Sequence, residues 1–255
     1  RLALHLDKRN EERKAVQQQI IDLAVAELSE STESSSHVAV IAGEGWHRGV
    51  IGIAASKIAE RINRPCVVFS IDGDVAHGSG RSIEAYHLLD GLTSCSDLFE
   101  KFGGHSHAAG ITIRPERIDQ FRERLNAHAA ECLSEEDLEH AITIDMELRA
   151  EDVGFHLARE LQLLEPYGAG NQRPVFFTKG LRALSEPVVL KDRHLKMRLA
   201  GANNRPLEAV WWNCIEPGGQ TPIVTGSIEL AYTIETRVWN DEIKVQLNVA
   251  DLRCS

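Results

Sequence analysis

The apolar run Val38-Ala39-Val40-Ile41-Ala42, the pattern from Gly49 to Ile62 and the run Cys66-Val67-Val68-Phe69 behind Pro65 decide the first half of the fold. Val50, Ile53, Ala54, Ile58 and Ile62 recur at helical spacing, which predicts a helix with one buried side. Strand, helix and strand in succession point to an α/β layer. Gly110-Ile111-Thr112-Ile113 adds a strand candidate and Ile118 to Leu133 a helix. Residues 37–133 are therefore expected to form an α/β domain.

Upstream, residues 1–28 read as a helix with Leu2, Leu6, Val16, Ile20, Leu23 and Leu28 in a broken 3.6-residue pattern. Its many charges make a solvated connector the simplest role. Ser29 to Ser36 reads as a polar linker, so 1–36 is a connecting helix and linker. The chain opens on Arg1 inside this pattern, as a domain of a longer protein would. Downstream, residues 134–168 carry 2 basic and 10 acidic side chains and are expected to be an acidic helical connector. Ser134-Glu135-Glu136-Asp137 resembles a helix start, and Glu151 to Leu164 a second helix ended by Pro166 and Gly168.

From residue 169 to 255 the period changes to two. Leu195, Met197 and Leu199 alternate with His194, Lys196 and Arg198. Ile228, Leu230, Tyr232 and Ile234 alternate with Glu229, Ala231, Thr233 and Glu235. Ile243, Val245, Leu247 and Val249 alternate with Lys244, Gln246, Asn248 and Ala250. Each run predicts a strand with one face in a core and one in water. Asn240-Asp241 between two of them signals a hairpin turn. Several short strands in a small region predict an all-β barrel, with an OB-fold as the leading form.

The net charge of −10 argues against a polyanion partner until its distribution is considered. Most of the net negative charge, −8 of the −10, sits in 134–168, whereas 169–255 carries 11 basic and 9 acidic groups. Local basic clusters there can act on nucleic acid. The five cysteines are scattered and none is spaced as Cys-x-x-Cys, which points away from zinc and fits a reducing cytoplasm. No apolar run approaches the length of a membrane span, and the N-terminus lacks a signal-peptide pattern.

Four stretches could carry chemistry. Phe102-Gly103-Gly104-His105-Ser106-His107-Ala108-Ala109-Gly110 pairs two glycines, whose bare backbone can approach an anion, with His105 as an added donor; a tight turn with a satisfied histidine reads the same residues. Gly78-Ser79-Gly80-Arg81-Ser82 offers an arginine fork and hydroxyls to a phosphate, or is a strand-edge turn. In Gly45-Trp46-His47-Arg48-Gly49-Val50-Ile51-Gly52 a helix start offers free N–H groups and Trp46 a stacking surface, unless Trp46 is a core anchor. Lys191-Asp192-Arg193-His194-Leu195-Lys196-Met197-Arg198 places a basic row on one strand face, which suits a single-strand groove or protects a sheet edge. Asp72-Gly73-Asp74 has paired carboxylates but reads as a hairpin turn. No metal site is expected in the chain, and no Asp-His-His triplet, Walker-type loop or dinucleotide fingerprint occurs.

Taken in order, these residues resemble a known family. Trp46-His47 with Gly49 to Ser56, then Gly78 to Ser82, then Phe102 to His105 with Ala108-Ala109-Gly110 resemble the DHH-associated domain of the RecJ exonucleases. Pro166-Tyr167-Gly168-x-Gly170-Asn171 with Pro174-Val175-Phe176, His194-Leu195-Lys196 and Val245 to Asp251 resemble the OB-fold of the same family. The resemblance spans about residues 1–253 and implies the C-terminal part of a single-stranded-DNA-specific 5′-to-3′ exonuclease, a hydrolase of recombination and repair. It implies that manganese or magnesium is held by a catalytic domain upstream, with no catalytic residue here. By position it assigns Ser79 and Arg81 to DNA and Gly103, Gly104 and His105 to the substrate path, with His47 and Lys57 as further candidates. His194, Lys196 and Arg198 would form the DNA-binding face of the OB-fold. The implied partners are single-stranded DNA and other repair proteins, such as a single-strand-binding protein or a helicase. The alternatives are a phosphoesterase of the wider superfamily acting on short oligonucleotides, and a non-catalytic nucleic-acid-binding scaffold module.

Overall fold

The computed structural model describes residues 2–30, 36–201, 203–215, 219–239 and 242–255. The chain divides into two compact units, Arg1–His140 and Ala141–Ser255. Among the described residues no helix is long and apolar enough to cross a membrane.

The first unit holds α1 (Leu2–Glu30), β1 (Ala39–Glu44), α2 (Arg48–Ile62), β2 (Cys66–Asp72), β3 (Val75–Arg81), α3 (Leu88–Ser94), β4 (Phe99–Gly104), β5 (Ala108–Ile113) and α4 (Ile118–Cys132). The strands form one sheet in the order β1-β2-β3-β5-β4. β1 and β2 are parallel and joined through α2; the other pairings are antiparallel. Strand alternation divides the apolar residues between two cores. Ile41, Cys66 and Val68 pack against Ala54 and Ile58 of α2 and Ile20 and Ala24 of α1. Val40, Val67, Phe69 and Ile113 pack on the other face against Phe121 and Leu125 of α4 and Leu92 of α3.

The expected helix over 49–62 is present as α2, although its buried side is Val50, Ile51, Ala54, Ala55, Ile58 and Ala59, with Ile53 and Ile62 only half-buried. The first helix runs to Glu30, and one side of it is no solvated connector: Ile20, Ile21 and Ala24 are buried in the core shared with α2. The polar linker expected after it lies mostly outside the described residues.

The second unit holds β6 (Met146–Glu147), α5 (Phe155–Leu161), β7 (Phe176–Ala183), β8 (Val188–Leu190), β9 (His194–Ala200), β10 (Leu207–Trp211), β11 (Ile228–Trp239) and β12 (Glu242–Cys254). The ladder runs β7-β11-β12-β10-β9, and β9 pairs back onto β7 through Arg182 and Ala183, so these five strands close a ring. One pairing in the ring, β10 with β12, is parallel. A five-stranded Greek-key ring of this kind is the OB architecture. Inside it lie Leu195, Met197, Leu199, Leu230, Tyr232, Ile234 and Leu247. Tyr232 has no accessible surface, and its hydroxyl meets Thr178 Oγ1 at 2.8 Å. Burial pushes that hydroxyl up to about 12.

The segment 134–168 does not stand as a helical connector. The structure divides it between the two units. Its start is a single 3-10 turn at Glu136–Leu138, closed by Ser134 Oγ donating to Asp137 at 2.7 Å. Asp145 N donates to Val175 O at 2.9 Å, which draws the chain into extended pairing beside β7. The helix expected from Glu151 begins at Phe155, because Gly154 is extended and Arg149 ties Asp152 into the preceding turn. The Asn240-Asp241 hairpin signal lies outside the described residues.

Candidate nucleic-acid interface

Gly78-Ser79-Gly80-Arg81 is no strand-edge turn. It forms most of β3, the middle strand of the first sheet. Its glycines face inward because they must: a Cβ at Gly78 would stand 2.4 Å from Phe69 Cε1, and one at Gly80 2.8 Å from Leu88 Cδ2. Alternation then directs Ser79 and Arg81 to the opposite face, toward α2. There Arg81 Nη1 donates to Gly80 O at 2.7 Å and to Ser79 Oγ at 3.2 Å. These bonds hold one edge of the guanidinium and fix its plane.

Register extends this face across the sheet. Ser79 pairs with Gly110, and Gly110 with Gly103. Directly paired residues point the same way, so the row Ser79, Gly110, Gly103 lies on one face. A Cβ at Gly103 or Gly110 would meet nothing within 4 Å. At Gly110 and Gly103 the row is therefore a floor of bare backbone, with the Ser79 hydroxyl standing at its α2 end. The next row on that face holds His77, Thr112 and Lys101. Arg81 lies on the other side of the floor, paired with Ala108. Two adjacent glycines thus do different work. Gly103 leaves the floor open, whereas a Cβ at Gly104 would fall 2.3 Å from Ala108 O, where the hairpin closes. His105 N donates to Ala108 O at 2.8 Å, and the His105 side chain is exposed at the hairpin tip.

The structure does not gather every candidate here. His47 caps α2, its Nδ1 accepting from Gly49 N at 3.0 Å, so it fills part of the anion site that the helix start offers. It lines a groove with Glu44, Trp46, Arg48 and Asp72, at the end of β2 away from Arg81. The six-residue separation along β2 is about 20 Å. Trp46 is half-buried and packs against the α1–α2 core, over the bare Cα of Gly43. Lys57 is exposed on α2. Asp72 and Asp74 flank the β2–β3 turn, and Asp72 lies 3.4 Å from Arg48 Nη2. Among the described residues no group of three or more His, Cys, Asp or Glu side chains is arranged to hold a metal ion.

In the second unit the alternation of β9 holds: Leu195, Met197 and Leu199 are buried, while His194, Lys196 and Arg198 face outward. The three outward residues differ in their engagements. His194 Nδ1 accepts from Asn213 N at 2.9 Å, and its ring meets Trp212 edge-on at 4.9 Å. Lys196 pairs with Glu208 at 3.2 Å. Arg198 is exposed. Lys191 and Arg193, the other cations of that cluster, fall in the turn between β8 and β9, where Lys191 and Asp192 take positive φ. Lys196 lines a groove of about 540 Å³ with Glu208, Trp212, Arg237, Lys244 and Gln246. Trp212 is 39% exposed; its Nε1 donates to Asn248 Oδ1 at 3.1 Å, and Arg237 stands 5.3 Å over its ring. An aromatic face beside several cations is the composition of a single-strand groove. Trp212 and Arg237 were not singled out in the sequence. The Trp211-Trp212 pair was the available signal for one of them, and the outward phase of the β11 run for the other.

Comparison with known proteins agrees with both architectures. Residues 34–131 match the DHHA1 domain and residues 144–251 the RecJ OB domain. The chain is 34% identical to the single-stranded-DNA-specific exonuclease RecJ of Bacillus subtilis over 265 residues, covering 100% of this chain and 32% of the relative. It is 32% identical to the RecJ of Salmonella typhimurium, covering 99% of this chain and 42% of the relative. It thus spans less than half the length of these curated relatives. The crystal structure of Thermus thermophilus RecJ in complex with Mg2+ superposes with a TM-score of 0.76 at 27% identity, over 98% of this chain and 37% of that one. The Mn2+ complex gives the same TM-score over 35% of its chain. Two domain matches in sequence order, relatives across the whole chain and a shared fold have one reading: the chain belongs to the RecJ family and carries its DHHA1 domain followed by its OB domain.

Proposed function

We infer that this chain is the substrate-binding portion of a single-stranded-DNA-specific 5′-to-3′ exonuclease that acts in recombination and repair. The observation that carries the reading is the bare floor of Gly110 and Gly103, with Ser79 and Arg81 at one end and Lys101 in the next row. A sugar-phosphate backbone can lie directly on such a floor, because no side chain stands in its way. The preset Arg81 fork accepts a phosphate in two-point contact, and Lys101 adds charge on the far side. The OB groove follows the strand by charge and by stacking on Trp212, without reading sequence.

Divalent metal chemistry belongs, in this reading, to a catalytic domain upstream, since the described residues of this chain gather no donor set. Manganese or magnesium there would supply an activated water and stabilise the departing oxygen. This chain contributes placement, which carries much of the barrier in such transfers. The test is affinity against strand length, measured on the chain with labelled oligo-dT from one nucleotide upward. Affinity is expected to rise with length to a site size and then level. Equal affinity for mononucleotide and long strand would support a short-oligonucleotide phosphoesterase instead.

A further inference from the structure

The OB groove contains one residue of the wrong sign. Its described lining presents Lys196, Arg237 and Lys244, with a single carboxylate, Glu208. Arg237 and Lys244 are directly paired across β11 and β12, so two cations stand side by side at the groove. Glu208 on β10 is paired directly with Arg198 on β9, and its Oε2 lies 3.2 Å from Lys196 Nζ, diagonally across the same strands. Glu208 is thus in contact with Lys196 and directly opposite Arg198, two outward cations of β9. Both partners of the ion pair are partly open to solvent, at 41% and 39%. An ion pair so exposed is weak, worth about two- to fivefold in an equilibrium, so an incoming anion can replace one partner.

We propose that Glu208 is a built-in stand-in for a DNA phosphate: its carboxylate holds Lys196 in the empty groove, and a single strand binds by displacing it. The proposal rests on the single-strand-binding reading above. Its physical content is a competition. When a phosphate takes Lys196, Glu208 loses its partner and recruits a cation from solution. The strand releases one counterion, the carboxylate takes one up, and the groove's net salt dependence is blunted. The same competition lowers affinity for every strand that takes Lys196.

The test compares wild type, Glu208→Gln, Lys196→Ala and the double variant, with Glu160→Gln as a control that removes one exposed negative charge on α5. Each full chain is titrated with fluorescein-labelled oligo-dT across a range of salt. Glu208→Gln keeps the size and hydrogen-bonding capacity of the side chain. It is expected to bind about two- to fivefold tighter at low salt. Its log-log salt dependence should be steeper by up to about 0.7, and the advantage should vanish at high salt. Lys196→Ala should weaken binding, Glu208→Gln should add little in that background, and Glu160→Gln should match wild type. If Lys196→Ala weakens binding while Glu208→Gln leaves affinity and slope unchanged, the groove is used but Glu208 does not compete, and the proposal fails alone. If Glu208→Gln lowers the melting temperature without changing binding, the pair is a strand clamp and the proposal fails. If no variant and no wild type binds the strand, both the proposal and the reading beneath it fall.

Discussion

Gly52 of α2 lies so close to Ser79 of β3 that a methyl group added to it would come within 3.0 Å of the serine hydroxyl, and within 3.3 Å of Arg81 Nη2. The helix thus leaves just enough room for the two side chains assigned to phosphate. Gly52→Ala is expected to separate stability from binding. Alanine improves an interior helix position by about 1 kcal/mol, so the melting temperature should hold or rise. Displacing Ser79 and Arg81 should weaken oligo-dT binding by about tenfold, the weight of a charge-assisted hydrogen bond. Unchanged affinity in a well-folded Gly52→Ala chain would remove Ser79 and Arg81 from the interface.

The paired glycines at the β4–β5 hairpin make a sharper contrast. Gly104→Ala drives a Cβ against backbone, at 2.3 Å from Ala108 O and 2.5 Å from Ala109 Cα, and should cost about 1–3 kcal/mol of stability in thermal melts. Gly103→Ala meets open space and should cost nothing, or gain about 0.5 kcal/mol through a stiffer unfolded chain. Yet Gly103→Ala should lower strand affinity, because it puts a methyl group on the floor. A Gly103→Ala chain that binds oligo-dT like wild type would show that the strand does not lie there.

Much of this was legible in the sequence. The 3.6-residue period located α2 and α4, and the two-residue period located β9 and its outward row. The glycine-rich stretch 78–82 was not legible as a strand. Its turn-like composition answers a packing demand from Phe69 and Leu88, whose positions depend on the sheet and on α3. Likewise the OB groove joins Lys196, Trp212, Arg237 and Lys244 from separate parts of the chain. Each outward phase was readable, but the strand order that sets β9, β10, β12 and β11 side by side was not. The segment 151–164 failed for a local reason: Gly154 and the Arg149–Asp152 pair cost it a first turn that acidic composition alone had promised.

The buried Tyr232 hydroxyl gives the second unit an alkaline limit. Thr178 Oγ1 donates to Leu148 O at 2.9 Å, which leaves the tyrosine to donate to Thr178. The folded group is pushed up to about 12 from an ordinary 10. Its contribution is therefore fully present below about pH 10 and is lost as pH rises from 10 through 12, on the order of 3 kcal/mol in all. Tyr232→Phe should cost about 1 kcal/mol near neutral pH through the lost hydrogen bond and lose less than wild type over that window. Urea unfolding followed by tryptophan emission reports it, since Trp211, Trp212 and Trp239 lie in this unit and only Trp46 in the other. Parallel pH profiles for the two chains would show that Tyr232 titrates no differently when folded.

The last prediction concerns hydrolysis. Cutting a phosphodiester with a divalent metal needs hard oxygen donors, often with histidine, converging on one or two ions. The carboxylates of this chain that come nearest to that description are Asp72 and Asp74, and their surroundings argue against it. They flank the β2–β3 turn around Gly73, which takes a φ of 60°, and Asp72 is engaged by Arg48. A guanidinium beside a carboxylate opposes a metal cation at the same place, and no third donor is arranged with the pair among the described residues. His105 stands at the tip of another hairpin, beside the glycine floor, and is not arranged with Asp72 in a donor set. The chain by itself is therefore expected to bind single strands and leave them intact when manganese is added. A 5′-labelled strand incubated with the purified chain and manganese, with Asp72→Ala/Asp74→Ala as control, decides the matter. Metal-dependent release of mononucleotides that disappears in the double variant would make this turn a catalytic site and overturn the division of labour between binding here and chemistry upstream.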